Sequence, residues 1–405
     1  MAERRSSAVI GFRTASRSKR SRSRLRRLAA AGMAVPLALG AVFTAGAGTA
    51  VAGPGQGPTA VVSLGDSYIS GEAGRWKGNS LTNSGSRDGT DKAWVSGSTY
   101  DPAKVYGTTA ANGCHRSDSA EVKSAGPVAD VAINLACSGA TTDNVFRAVS
   151  GGVGFKGEAP QADQLAAVAA SHDVKLITLS IGGNDLGFAD IIKECAYDFV
   201  VWYSYCYDDQ QYAVDQKIDG VMAKVGKAVD EIRAVMAAAG YANGDYRIVL
   251  QSYPSPIPRG AENRHPQSDW SRLNTGGCPF WDRDSDWARD SLIPQLANRI
   301  GGVARAKGVQ FLDLRDMLQG REVCAKASKL VSPTAPASAR TSEWARWIDS
   351  NETQGPVQES MHPNHYGQLA LGRCLALLNA KPSGDFSCRN TAGGDHTGMY
   401  LTPAP

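Results

Sequence analysis

Four short stretches of this sequence carry residue types that nucleophilic chemistry uses. The first is Gly65-Asp66-Ser67, directly after the apolar run Ala60-Val61-Val62-Ser63-Leu64. A serine just past the end of a strand is either a helix cap or a reagent. The others are Ala136-Cys137-Ser138-Gly139-Ala140, Gly182-Gly183-Asn184-Asp185 and Glu359-Ser360-Met361-His362-Pro363-Asn364-His365. A serine hydroxyl is a poor nucleophile until a base removes its proton during attack, so Ser67 needs an imidazole within hydrogen-bond reach. His362 is the candidate.

Each stretch must be held in place by regular structure, and the hydrophobic pattern supplies it. Candidate strands are Thr59 to Leu64, Val131 to Leu135, Val174 to Ile181, Tyr246 to Gln251 and Val309 to Leu314. Between the third and fourth, Val214, Ile218, Val221, Met222, Val225, Val229, Ile232, Val235 and Met236 recur at steps of three and four, the mark of one helical face. Further helices are expected from Pro160 to Ala170, around Leu292 to Val303, and from Tyr366 to Leu378. Strands alternating with helices predict an α/β fold, a three-layer α/β/α sandwich on a central, mainly parallel, five-stranded sheet. In such a sheet the reactive site lies beyond the carboxyl ends of the strands, where three of the four stretches fall.

The amino terminus reads as a leader. Residues 1–27 hold ten Arg or Lys and a single acid, Glu3, and are followed by an apolar segment and Ala50-Val51-Ala52. That order is a secretory signal, with cleavage expected after Ala52 and the export route left open. The chain of 405 residues carries 43 basic and 39 acidic side chains, a net charge of +4; beyond Ala52, 33 basic and 38 acidic remain, giving −5. The processed chain therefore offers no electrostatic case for nucleic acid. Residues 53–58 form a linker, 59–380 one catalytic domain with insertions at 74–111 and 259–286, and 381–405 a tail anchored by Cys388. All eight cysteines lie past the leader and none forms a CxxC pair, which favours disulfides over a zinc site. Pairing in chain order joins Cys114 with Cys137, Cys195 with Cys206, Cys278 with Cys324 and Cys374 with Cys388.

Taken in order, GDSY at 65–68, the glycine at 139, GGND at 182–185 and His362-Pro363 resemble the SGNH or GDSL serine esterases and lipases, particularly their secreted actinobacterial members. The resemblance covers essentially the whole chain beyond the leader. It implies a flavodoxin-like sandwich and an oxyanion hole made by the backbone N–H groups of Ser67 and Gly139 and the side-chain amide of Asn184. Glycine lets its backbone approach a substrate, and the Asn184 amide donates without needing a proton from solution. The rival elbow G-x-S-x-G does not occur in the chain. Where the family commonly has an aspartate three residues before the histidine, this chain has Glu359; either its carboxylate or a main-chain carbonyl orients the imidazole. His365 is a competing base, disfavoured because His362 directly precedes the proline.

The resulting expectation is a secreted, monomeric hydrolase of small-molecule or lipid carboxylic esters that works through a Ser67 acyl-enzyme. It needs no metal or organic cofactor, binds no nucleic acid and keeps no membrane span. Alternatives are a phospholipase or lysophospholipase, a glycan deacetylase, and a secreted binding protein without turnover. Asp66 and Asp185 read as turn-stabilising. Phe199 to Tyr207, with five aromatics in nine residues, reads either as an acyl-binding wall or as a stapled subdomain with its own small core. Trp344 and Trp347 read as packing or cleft residues, and Tyr253 to Arg259 as a cleft rim, with Arg259 either a head-group contact or a surface cation.

Overall fold

The computed structural model describes residues 54–405 apart from Tyr203, so the expected leader lies outside the described residues. Strand β1 (Thr59–Gly65) is built from Ala, Val and Leu and is buried on both faces, as a central parallel strand must be. It pairs in parallel with β2 (Val131–Asn134) on one side and β3 (Asp173–Ser180) on the other. Strands β4 (Arg247–Gln251) and β5 (Gln310–Asp313) continue the parallel sheet outward.

The sheet has seven strands and not the expected five. Strand β6 (Phe386–Arg389) adds to β5 in parallel, and β7 (Tyr400–Pro403) closes the edge antiparallel to β6, giving the order β2-β1-β3-β4-β5-β6-β7. Both extra strands are only four residues long, β6 lying between β5 and β7, and β7 at the sheet edge. Phe-Ser-Cys-Arg and Tyr-Leu-Thr-Pro lack the continuous β-branched run that marks a central strand.

Helices cover both faces. The α1 turn (Ser67–Ser70) follows β1, and α2 (Gln161–Ser171) precedes β3. After β3 come α3 (Gly183–Leu186), α4 (Phe188–Tyr197) and the long α5 (Tyr207–Ala238), which buries every apolar position that the periodicity placed on one face. Helix α6 (Ile293–Lys307) packs beside α5, as does α2, whereas α7 (His365–Asn379) packs with the short helix Glu121–Ser124. Asn364 caps α7, accepting from the Tyr366 and Gly367 N–H groups at 3.0 and 3.3 Å. Among the described residues no helix is long and apolar enough to cross a membrane.

The cysteines are bonded as 114 with 137, 195 with 206, 278 with 324 and 374 with 388. The first bond ties the loop after β2 to the segment just past the first insertion, and the last ties α7 to β6. Four such bonds fit a chain folded in an oxidising compartment.

Candidate active site

At the carboxyl end of β1 the backbone makes a turn that only glycine accommodates. Gly65 sits at φ +136°, and an added Cβ would lie 1.9 Å from the Ser180 carbonyl oxygen on β3. The Gln161 side chain holds both polar groups of Gly65, accepting from its N–H at 2.7 Å and donating to its carbonyl at 2.8 Å. Asp66 then caps α1, accepting from the Tyr68 N–H at 3.1 Å, while its other oxygen accepts from the Tyr253 hydroxyl. Burial raises the Asp66 pKa to about 7 against those two bonds. The cap is thus Asp66, which leaves the Ser67 hydroxyl unused by the helix end.

His362 meets that hydroxyl. Its Nε2 lies 2.7 Å from Ser67 Oγ, and its Nδ1 lies 2.8 Å from the Ser360 carbonyl oxygen. Because a carbonyl only accepts, Nδ1 carries the proton and Nε2 keeps its lone pair toward Ser67, the arrangement a general base requires. Burial lowers the His362 pKa from its ordinary value, opposed first by the Glu72 carboxylate and then by the Ser360 carbonyl. The loop bearing the histidine is fixed from two sides. The Tyr68 hydroxyl donates to the Met361 carbonyl at 2.9 Å, and the Arg346 backbone exchanges bonds with Met361 and His362 at 2.8 and 2.9 Å. Met361 itself is held at φ +62°, unfavourable for a non-glycine residue, and is buried.

Three donors border the same space. Gly139 is at φ +87°, the left-handed region, which turns its backbone out of the loop after β2. Neither its N–H nor that of Ser67 donates to another group among the described residues. The Asn184 Nδ2 gives one proton to the Ala140 carbonyl at 2.9 Å, which aligns the amide and leaves the second proton available. The loops are cross-tied: Asp185 accepts from the Thr142 N–H and hydroxyl at 3.0 and 2.5 Å, and the Tyr253 hydroxyl accepts from the Gly183 N–H at 3.1 Å. Tyr253 therefore links the Ser67 turn to the Asn184 turn, a role that a reading of its segment as rim did not contain.

Glu359 stands elsewhere. Its buried carboxylate accepts from Trp76 Nε1 at 2.6 Å and the Tyr106 hydroxyl at 2.5 Å, and the Nδ1 position it would have to reach is taken by Ser360. Trp76 is in turn faced by the guanidinium groups of Arg346 and Arg75, 3.8 and 4.7 Å from its ring centre. His365 points away from Ser67, with Nδ1 3.3 Å from Lys92 Nζ; burial, then the Lys92 and Lys77 charges, lowers its pKa to about 3. Arg259 is paired with Asp290 at 2.6 Å. Trp344 and Trp347 are buried in packing, and it is the neighbouring Ile348 that reaches the cleft.

Ser67, Gly139, Asn184 and His362 line one cleft of about 560 Å³. Its far wall is apolar, with Phe188, Ile192 and Val200 from α4 and the turn after it, and Leu273, Pro279 and Ile348 opposite. A narrower apolar slot shares Tyr68, Phe188, Ile192 and Met361 with this cleft and continues toward Ile257, Phe280 and Trp287. Phe199 does not enter either space; it is buried against Trp281, ring centres 4.7 Å apart. The aromatic segment thus has a core of its own and lends one edge to the cleft. Among the described residues no group of three His, Cys, Asp or Glu is placed to hold a metal ion.

Residues 63–370 match the profile of the GDSL-like lipase/acylhydrolase family. The chain belongs to that family. Membership makes it a hydrolase of the SGNH type. A similar solved structure is an extracellular lipase from Streptomyces rimosus, 21% identical over 80% of this chain and 100% of that one, TM-score 0.47. Phospholipase A1 from Streptomyces albidoflavus is 19% identical over 80% of this chain and 98% of that one, TM-score 0.48. Est24, a carbohydrate acetylesterase from Sinorhizobium meliloti, is 12% identical over the same 80% and 98% of its own chain, TM-score 0.33. No curated protein matches the sequence.

Proposed function

We propose that this hydrolase cleaves carboxylic esters through a Ser67 acyl-enzyme, with His362 as general base and then general acid. The observation that carries the reading is the 2.7 Å contact between Ser67 Oγ and an imidazole whose other nitrogen is held as a donor. Ser67 Oγ attacks the ester carbonyl carbon as its proton passes to Nε2, and the carbonyl oxygen becomes an anion facing the Ser67 and Gly139 N–H groups and the Asn184 amide. The proton on Nε2 then goes to the leaving alkoxide, which departs as the alcohol. Water, deprotonated by the same nitrogen, cleaves the acyl-enzyme and restores Ser67.

The apolar far wall favours an alkyl acyl group over acetate on a sugar, and lipid esters, phospholipids among them, belong to the same reading. The four disulfides and the leader-like first 52 residues support a secreted protein, and a monomer is proposed with it.

The test is hydrolysis of p-nitrophenyl esters from acetate to palmitate by the oxidised protein beside Ser67→Ala. Activity lost in the variant with an unchanged melting temperature is the expected result. Equal activity in both proteins would overturn the reading. Failure of a fluorophosphonate probe to label the folded wild-type protein would replace it with a binding protein that keeps this scaffold.

A further inference from the structure

Behind the cleft lies a second carboxylate that the mechanism above does not use. Glu72 follows α1 and donates its backbone N–H to the Ser67 carbonyl at 3.2 Å. Its side chain is fully buried and bonded at both oxygens: one lies 2.8 Å from His115 Nδ1, and the other accepts from Gln358 Nε2 at 2.8 Å. Gln358 also donates to the Ser138 hydroxyl at 2.9 Å, and both Gln358 and Ser138 line the cleft beside His362. Glu72 is therefore joined by its backbone to the nucleophile turn, and its carboxylate is joined to Gln358, four residues before His362, and through Gln358 to the residue preceding Gly139.

We infer that Glu72 is the positioning carboxylate of this site, supplying through space the negative charge that the Ser360 carbonyl cannot give to the His362 imidazolium. The inference rests on the Ser67–His362 reading. In the transition state His362 gains a full positive charge, while its Nδ1 partner is only a dipole; a buried anion nearby stabilises that charge without touching substrate.

The electrostatics agree in sign. Burial alone would push the Glu72 carboxyl up, but the bond and charge of His115, the charge of His362 and the Ser138 hydroxyl together hold it below the ordinary carboxylate range. An ionised Glu72 is the strongest group opposing the desolvation of His362. Other charged groups face this region. His115, when protonated, opposes Glu72 at His362, Lys156 is attracted to Glu72, and Glu359 is repelled by it while Arg75 holds Glu359. Glu359, already bonded to Trp76 and Tyr106, cannot take the same role through Nδ1.

The test follows the His362 imidazole by NMR in the oxidised, histidine-labelled full chain, together with the pH profile of kcat/KM. In Glu72→Gln the imidazole pKa and the acid limb are expected to fall together by about one pH unit, with kcat reduced about tenfold and KM little changed. Glu72→Asp, which keeps the charge, should restore most of both. An unchanged His362 pKa in folded Glu72→Gln overturns the inference. Should that variant not fold, Gln358→Leu at the cleft surface removes a donor that keeps Glu72 ionised; a smaller shift in the same direction supports the inference and no shift overturns it. The NMR readout needs no substrate, so a protein that titrates as expected but shows no Ser67-dependent hydrolysis rejects the ester reading and leaves the Glu72 coupling intact.

Discussion

At the carboxyl ends of β1 and β3, and in the loop after β2, each turn carrying a site residue is held by a buried polar atom from another segment. Gln161 grips Gly65, Thr142 grips Asp185, and Tyr253 spans Asp66 and Gly183. The opposite wall, from Phe188 to Tyr207, is tied at its far end by the Cys195–Cys206 bond and by the buried Asp284, which accepts from the Cys206 and Tyr207 N–H groups at 3.1 Å. The part that faces the cleft, Phe188, Ile192 and Val200, is apolar, with Tyr197, Val201 and Tyr205 nearly half exposed. Hydrogen bonds fix position and direction, whereas apolar packing fixes volume and tolerates rearrangement. The floor is thus built to hold atoms in place for a reaction, and the wall to accept a shape.

That contrast can be broken from either side. Asn184→Ala removes the proposed oxyanion donor, and kcat should fall about 10² to 10³-fold with little change in KM. A pure KM effect in steady-state kinetics would move Asn184 from the floor to the wall. Tyr253→Phe leaves an Asp66 oxygen and the Gly183 N–H without their partner, at about 1–3 kcal/mol each in stability. Its kcat should drop about tenfold as the two turns lose register, a smaller effect because no reacting atom is removed. Unchanged kinetics with a lowered melting temperature would make the tie purely structural.

The double variant Cys195→Ser with Cys206→Ser should spare acetate hydrolysis while changing the palmitate-to-acetate ratio by about threefold to tenfold. A uniform loss across the ester series would mean that the wall also holds the floor. Smallest of all, Glu359→Gln should keep kcat within about threefold while costing about 1–3 kcal/mol through the Trp76 and Tyr106 bonds, as read by thermal unfolding. A collapse of kcat with stability retained would return Glu359 to the imidazole.

The legible part of the molecule was the part with local periodicity or a dense motif. Val214 to Met236 announced α5, and GDSY, GGND and His362-Pro363 stand at strand and loop ends where side-chain type alone constrains the chemistry. Tyr253, Gln161 and Gln358 gave no such signal, because each acts on a residue far away in sequence: Gln161 meets Gly65 across 96 positions and Gln358 meets Glu72 across 286. The choice between Glu359 and a carbonyl was left open by spacing, since the outcome depends on which way the Ser360 peptide faces. Strands β6 and β7 escaped for a different reason: four residues with no continuous apolar or β-branched run are specified by the strands they pair with and not by their own pattern.

The Ser360 carbonyl that holds Nδ1 is an amide oxygen, and an amide oxygen does not titrate in the range where proteins stay folded. A carboxylate in its place would be lost to protonation as its surroundings acidify, and the ring would be free to turn. At Nδ1 acid finds no partner to protonate, so the ring keeps its orientation when Nε2 takes up its proton. The share of any mild-acid inactivation that comes from the proposed base should therefore reverse as fast as protons exchange, with no reorientation of the ring to wait for.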